Sequence, residues 1–348
     1  MMKSRILFYM EQSPPMHGVT YINKILFDNL KDESKYSFYN INYNLHANEV
    51  GNISVKKVFH NLKIIFGAWK CFFIFYPDKI YTPLSATFYG IFRDFLMNIP
   101  AIIFRRKIIL HLHGFTYYKM YQTSKAYKLL FTLISKNSEL VVLCKEQKIK
   151  TLDIMSRNSE ILSNCLRKDC DHGFKVKNEK IQICYISNIS RQKGVFELVK
   201  AVQLYGDGIK LVVAGNFLSD KSDFFNLISG SENISYLGFA DEQLKNRILQ
   251  DSDIFCLPSK LEEGSPVSIV EAMSYGMPII ASDKGCIKEM IRGTGYVLPN
   301  NYKVTDICIA LQCVMDNYKD FSRKASEEYK SGYSRKKFLK NFESIIQG

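Results

Sequence analysis

Short, unbroken apolar runs recur along this chain of 348 residues and constrain its fold more than any other feature. They lie at Ile6 to Tyr9, Lys79 to Tyr81, Ile108 to Leu112 and Leu140 to Leu143 in the first half, and at Ile183 to Ile186, Lys210 to Ala214, Ile254 to Leu257 and Pro278 to Ala281 in the second. A strand with one wet face alternates apolar and polar residues, whereas an unbroken apolar run has both faces covered. Segments of helical period separate the runs, so the expected fold is α/β, with a helix-covered parallel sheet in each half. Residues Arg167 to Lys180 are polar and charged with no apolar period, and are expected to link the halves. The expected organisation is a Rossmann-like doubly wound domain over 1–166, the linker 167–180, a second Rossmann-like domain over 181–333, and a closing helix over 334–348 that packs back on the first domain through Phe338, Leu339, Phe342, Ile345 and Ile346. Such sheets bind ligands beyond the carboxyl ends of their strands, which predicts a cleft between the domains.

An apolar fraction of 47% excludes a disordered chain. The most apolar stretch, Ile64 to Tyr76, is 13 residues long and interrupted by Lys70, too short to span a bilayer. The apolar start Ile6 to Tyr9 is too brief for a signal-peptide core and soon meets Glu11. Nine scattered cysteines read as reduced thiols, and the expected location is cytoplasmic. No Gly-x-x-x-x-Gly-Lys-Ser/Thr or Gly-x-Gly-x-x-Gly motif is present, which argues against an ATPase or a dinucleotide oxidoreductase.

The net charge of +13 is unevenly placed. Residues 1–180 hold 27 Lys+Arg against 14 Asp+Glu, and 181–348 hold 20 of each. Residues 51–150 alone carry 16 basic and 4 acidic side chains, interleaved with aromatics. Nucleic acid and an anionic membrane surface both suit such a stretch, and the membrane is preferred because Lys56, Lys63 and Lys70 form one stripe of a helix whose other face is aliphatic and aromatic. The plain alternative is an amphipathic helix packed on a sheet with solvated lysines. For Arg105, Arg106 and Lys107 the alternative is a solvated loop before a strand.

The segment Leu261 to Asp283 carries the chemistry. Ser265 reads as a helix N-cap, Pro266 as the first helical residue, and Gly276 with Pro278 as the stop. Free amides at Val267 and Ser268, at the positive end of the helix dipole, suit phosphate or sugar oxygens. Glu263 stands before that terminus and Glu271 lies inside the helix, two carboxylates able to accept from paired hydroxyls.

This segment resembles the signature of the retaining nucleotide-sugar glycosyltransferases of family 4, through Glu263, Glu271-Ala272-Met273, Gly276-Met277-Pro278 and Ile279 to Asp283. The resemblance implies a GT-B fold of two Rossmann-like domains, a donor-sugar contact for Glu263 and a ribose contact for Glu271. Pro266 replaces a frequent glycine. Ser187 to Gly194 is similar to the family's phosphate loop, with Lys193 at the lysine and Asn188 where many members have arginine, so that Arg191 would substitute from within the loop. Gly18, after Pro14 to His17, matches a glycine under the donor phosphate, and Gly215 and Gly238 stand where members line the phosphate and base pockets. His113, in His111-Leu112-His113-Gly114, fits the family's histidine beside the transferred sugar, and His111 is expected on the opposite face of the strand.

Asp251 and Asp253 have the spacing of a metal-binding pair but lack convergent ligands, and Cys165, Cys170 and His172 lack a fourth zinc ligand. No metal or other cofactor is therefore expected. The sequence points to a metal-independent retaining enzyme, with His113, Lys193 and Glu263 as catalytic residues, that moves a hexosyl or N-acetylhexosaminyl unit from a nucleoside-diphosphate sugar to a lipid-linked glycan in surface-polysaccharide biosynthesis. It would lie peripherally on the cytoplasmic face of the inner membrane, with no nucleic-acid partner. A nucleotide-sugar epimerase of the same architecture and a non-catalytic membrane adaptor are the alternatives.

Overall fold

The computed structural model describes residues 4–12, 18–41, 55–206 and 208–348, with backbone alone for 55–58. The chain divides into two compact units, one of Met1–Leu162 with Leu339–Gly348 and the other of Ser163–Phe338. In the first, β1 (Ile6–Met10), α1 (Gly18–Leu30), β2 (Tyr36–Asn40), α2 (Val55–Phe75), β3 (Lys79–Pro83), α3 (Phe88–Ile103), β4 (Lys107–His111), α4 (Thr116–Thr123), α5 (Lys125–Ser135), β5 (Ser138–Val142), α6 (Lys145–Met155) and β6 (Ser159–Ile161) build a parallel sheet of order β2-β1-β3-β4-β5-β6. In the second, β7 (Ile181–Ile186), α7 (Val195–Tyr205), β8 (Ile209–Ala214), α8 (Lys221–Ile228), β9 (Ile234–Tyr236), α9 (Glu242–Asp251), β10 (Ile254–Leu257), α10 (Val267–Ser274), β11 (Ile279–Ser282), α11 (Ile287–Met290) and β12 (Gly295–Leu298) give the order β12-β11-β10-β7-β8-β9. Helices α12 (Val304–Asp316), α13 (Tyr318–Glu328) and α14 (Arg335–Gln347) follow.

Every strand expected from an unbroken apolar run is an interior strand of its sheet, and β2, β6, β9 and β12, which have no such run, are the four edges. The reason is exposure: β1, β3, β10 and β11 are buried at every residue, while β2 and β12 are mostly half-buried. An edge strand lacks a neighbour on one side and needs no continuous apolar cover.

The segment 167–180, expected to link the halves, is fastened to the second unit. The His172 amide donates to Ser274 O at 3.0 Å, its ring stacks on Tyr275 at 3.9 Å, and the Lys175 amide donates to Ser322 Oγ at 2.6 Å. Asp253 accepts from the amides of Asn178 at 2.9 Å and Gln182 at 2.8 Å, tying the segment to the start of β7. Polar chain without periodicity is immobilised here through its hydrogen-bonding groups. Helix α14 begins on the second unit, where the Arg335 amide donates to Asp169 Oδ1 at 2.6 Å, and ends on the first, where the Phe342 ring meets Tyr81 at 5.4 Å and Phe8 at 6.2 Å.

Candidate functional site

In the second sheet the strand order reverses between β7 and β10, and the loops leaving those two strands meet at the switch point, where doubly wound sheets hold ligands. The loop after β7 makes a short 3₁₀ turn, Arg191–Lys193, and closes on Gly194 at φ 75°. A Cβ on Gly194 would lie 1.9 Å from the Pro258 carbonyl oxygen, so this close approach of the two loops admits only glycine. The approach brings Lys193 Nζ within 2.6 Å of Glu263 Oε1, and Ser259 Oγ donates to the same oxygen at 2.6 Å. Both side chains of the pair are 16% exposed. The main chain of Glu263 is pinned by the Cys286 amide, which donates to its carbonyl at 3.0 Å.

Helix α10 starts at Val267, one residue later than expected. Pro266 occupies the cap position without a side-chain bond, and its carbonyl accepts from Ile269 and Val270. Ser265 is no cap: it is paired with Asn164, whose amide donates to Ser265 Oγ at 3.3 Å and whose Nδ2 donates to Ser265 O at 2.7 Å. Val267 and Ser268 are in the first turn, where helical geometry leaves amides without intrahelical acceptors. Glu271, 9% exposed, is paired with Lys245 of α9, a residue that the sequence reading missed. The available signal was chemical, because a carboxylate on a helix that turns apolar residues inward needs a cation. Burial raises the Glu271 carboxyl above its ordinary value and the Lys245 ammonium opposes that rise.

Arg191 is engaged elsewhere. Its guanidinium is bonded to Asp223 Oδ2 at 2.5 Å, lies 3.5 Å from Asp220, and covers the Phe196 ring at 4.5 Å. Among the described residues Lys193 is the cation directed at Glu263, while Arg191 braces the loop against α8. Asn188 is exposed, and its carbonyl accepts from Tyr185 Oη at 2.7 Å. Gly215 has a steric reason to be glycine, since its Cβ would meet Ser187 O at 1.9 Å, and its amide bonds Gly238 O at 2.8 Å. These two glycines thus join the ends of β8 and β9 to the loop after β7. Gly18 begins α1 with open space where a Cβ would stand, and Pro14 to His17 lie outside the described residues.

In the first unit, His111 and His113 do not face opposite ways: their ring centroids are 3.9 Å apart. Strand side chains alternate with period two, so residues 111 and 113 share a face, contrary to the expectation above. His111 is fully buried, with Nδ1 2.7 Å from Tyr81 Oη, and burial together with the neighbouring His113 pushes its imidazole well below the ordinary value. It is neutral in the fold. Lys63 and Lys70 of α2 are exposed, as are Arg105 and Lys107, while Arg106 is partly covered over the Tyr76 ring at 4.6 Å. The Lys56 side chain lies outside the described residues. Among the described residues no group of three His, Cys, Asp or Glu is arranged to hold a metal ion, and Asp253 is occupied by the amides of 178 and 182.

Two parallel six-stranded sheets of this connectivity define the GT-B architecture. The chain shares its fold with Anabaena HepE, solved in complex with UDP and glucose, at a TM-score of 0.72 and 15% identity over 99% of both chains. Residues 169–331 match the family described as glycosyl transferases group 1. Over 193 residues the chain is 24% identical to a Campylobacter jejuni N,N'-diacetylbacillosaminyl-diphospho-undecaprenol alpha-1,3-N-acetylgalactosaminyltransferase, covering 49% of this chain and 50% of that protein. It is 27% identical over 176 residues to an uncharacterized 41.2 kDa protein in the cps region of Klebsiella pneumoniae, covering 50% of this chain and 48% of that protein. The chain thus spans about half the length of these two relatives.

Proposed function

We propose that this protein is a retaining glycosyltransferase that moves a sugar from a nucleoside diphosphate, with UDP as the favoured nucleotide, to a lipid-linked glycan in polysaccharide biosynthesis. The observation that carries the reading is the Lys193–Glu263–Ser259 cluster at the switch point of the second sheet. A departing diphosphate needs a cation and preorganised donors, and Lys193 with the first-turn amides of α10 supplies both without a divalent ion. An arriving diphosphate would compete with Glu263 for Lys193 and release the carboxylate to accept from sugar hydroxyls. Glu271, held by Lys245, would accept from the ribose hydroxyls. The acceptor would attack on the face from which the diphosphate departs, its proton passing to a donor oxygen.

Likeness to a cps-region protein and to a transferase acting on an undecaprenol-linked sugar supports the polysaccharide setting. The basic first half supports a lipid-linked acceptor and a position on the cytoplasmic membrane face. Mass spectrometry with a panel of UDP-, GDP- and ADP-sugars, with and without a lipid-linked acceptor, tests this. The expected result is acceptor-dependent transfer from a UDP-sugar. Release of an altered donor sugar without acceptor would refute it in favour of an epimerase. Lys193→Ala should lower turnover at saturating donor by roughly 10²- to 10³-fold, the scale of losing one donor to a developing anion.

A further inference from the structure

Helix α2 is apolar around almost its whole circumference. Ile64, Ile65, Ala68 and Phe72 are buried against the first sheet and α3, with Trp69 Nε1 donating to Leu96 O at 2.9 Å. A helix packed in this way ordinarily shows water a polar face. Here Phe59, Leu62, Phe66, Phe73 and Ile74 point outward at 69, 40, 59, 54 and 74% exposure, and Lys63 and Lys70 stand among them. At 3.6 residues per turn these seven positions occupy about a third of the helix circumference. The lysine stripe and an aromatic stripe are therefore the same stripe, whereas the sequence alone suggested opposite faces.

The strip continues past the helix end. Phe104 packs on Phe73 with centroids 5.9 Å apart and on Tyr76 at 6.4 Å, and Ile103 beside it is 68% exposed. Arg105 is exposed at this corner, and Arg106 covers Tyr76. At 21 residues α2 is about 30 Å long, and no helix among the described residues is long and apolar enough to cross a membrane. An element with this face lies along an interface rather than through it.

We infer that the outward face of α2, with the Ile103–Arg105 corner, is a docking surface for an anionic lipid bilayer. Charge selects this occupant. Helix α2 contains no Asp or Glu, so a second copy docked face to face would set lysines against lysines. Single-stranded nucleic acid would use the cations and the rings but has no use for exposed Leu62, Ile74 and Ile103. A bilayer uses all three kinds of side chain: aliphatic groups in the acyl boundary, rings at the headgroup level, ammonium and guanidinium groups on lipid phosphates. By strand connectivity α2 runs antiparallel to the sheet, so its Phe59 end lies toward the carboxyl edge, where His113 follows β4. The inference deepens the lipid-linked reading above and rests on it for its purpose, but its test is a binding measurement without transfer, so either can fail alone.

The experiment is cosedimentation of the full chain with phosphatidylcholine vesicles with and without phosphatidylglycerol, together with sedimentation velocity and titration of a single-stranded oligonucleotide. Wild type should bind the phosphatidylglycerol vesicles at least roughly 10-fold more tightly than phosphatidylcholine alone. A Phe66→Ser, Ile74→Ser, Ile103→Ser variant, altered only at exposed positions, should bind them at least roughly 10-fold more weakly with an unchanged melting temperature. Lys63→Glu with Lys70→Glu, which leaves the apolar groups in place, should also weaken binding. Wild-type indifference to phosphatidylglycerol, or serine or glutamate variants that bind like wild type, would overturn the inference. So would a stable dimer that the serine variant dissolves, or an oligonucleotide bound in preference to vesicles.

Discussion

Replacing Lys245 by methionine removes the cation beside Glu271 while keeping a side chain of similar length. Breaking a fully buried pair in this way costs about 3–5 kcal/mol, because one charge is left without compensation. Here the side chains are 23% and 11% exposed, so solvent screening lowers the expected loss to about 2 kcal/mol at pH 8. For a chain of 348 residues that corresponds to a melting temperature lower by roughly 3 °C. The loss should depend on pH in one direction. Burial already raises the Glu271 carboxyl, and Lys245 is the group that opposes the rise. Without it the folded protein keeps a proton at pH values where the unfolded chain, titrating at about 4.3, has lost it. Stability contributed by that proton is complete below the unfolded value and disappears as pH rises through the raised folded value. The variant should therefore approach wild type near pH 5 and fall furthest below it at pH 8, and its UDP affinity by calorimetry should fall over the same interval. Glu271→Gln in the Lys245→Met background should cost less than in wild type, since the uncompensated charge is gone. A variant with the wild-type pH profile, or a double mutant with additive losses, would refute the assignment of Lys245 as the group that holds Glu271.

Arg191→Ala should change turnover by less than roughly 10-fold, against the much larger loss for Lys193→Ala, because its guanidinium is spent on Asp220 and Asp223; steady-state kinetics of the two variants side by side decides it. Gly194→Ala should destabilise by at least about 2 kcal/mol, the cost of a left-handed backbone plus a clash with Pro258 O, read by denaturant unfolding. His111 is neutral in the fold and its value is depressed, so the unfolded chain binds a proton below about pH 6.5 that the folded chain does not. Its contribution to stability is present above that value and lost as pH falls, by up to about 1.4 kcal/mol per pH unit. His111→Asn should flatten the melting-temperature profile between pH 7 and pH 5; an unchanged slope would count against a buried neutral histidine.

Interior strands were legible because they are covered on both faces and must be apolar at every residue. The four edge strands were not, since Tyr36–Asn40 and Gly295–Leu298 keep one side open and carry no run. At the candidate site, Glu263, Glu271 and Lys193 stand out in the sequence because their spacing to glycines, a proline and an apolar strand resembles a known signature. Lys245 does not, because it belongs to an amphipathic helix in which a lysine carries no mark of the carboxylate it will meet. The cap at Ser265 was misplaced because local sequence favours a cap, while Asn164, far away in the chain, takes its hydroxyl.

The sequence by itself determined the class of architecture, the helix and strand periods, the spacing of Glu263 and Glu271 about a helix start, and the placing of positive charge in the first half. These follow from local rules: burial on both faces, helical period, the geometry of a loop entering a helix. Only the tertiary structure decided which groups pair. Lys193 with Glu263, Lys245 with Glu271, Arg191 with Asp220 and Asp223, and the merging of an aromatic and a lysine stripe on α2 all depend on which side of each element meets a neighbour. A charge settles on the opposite charge that folding brings near, and sequence spacing does not record that distance.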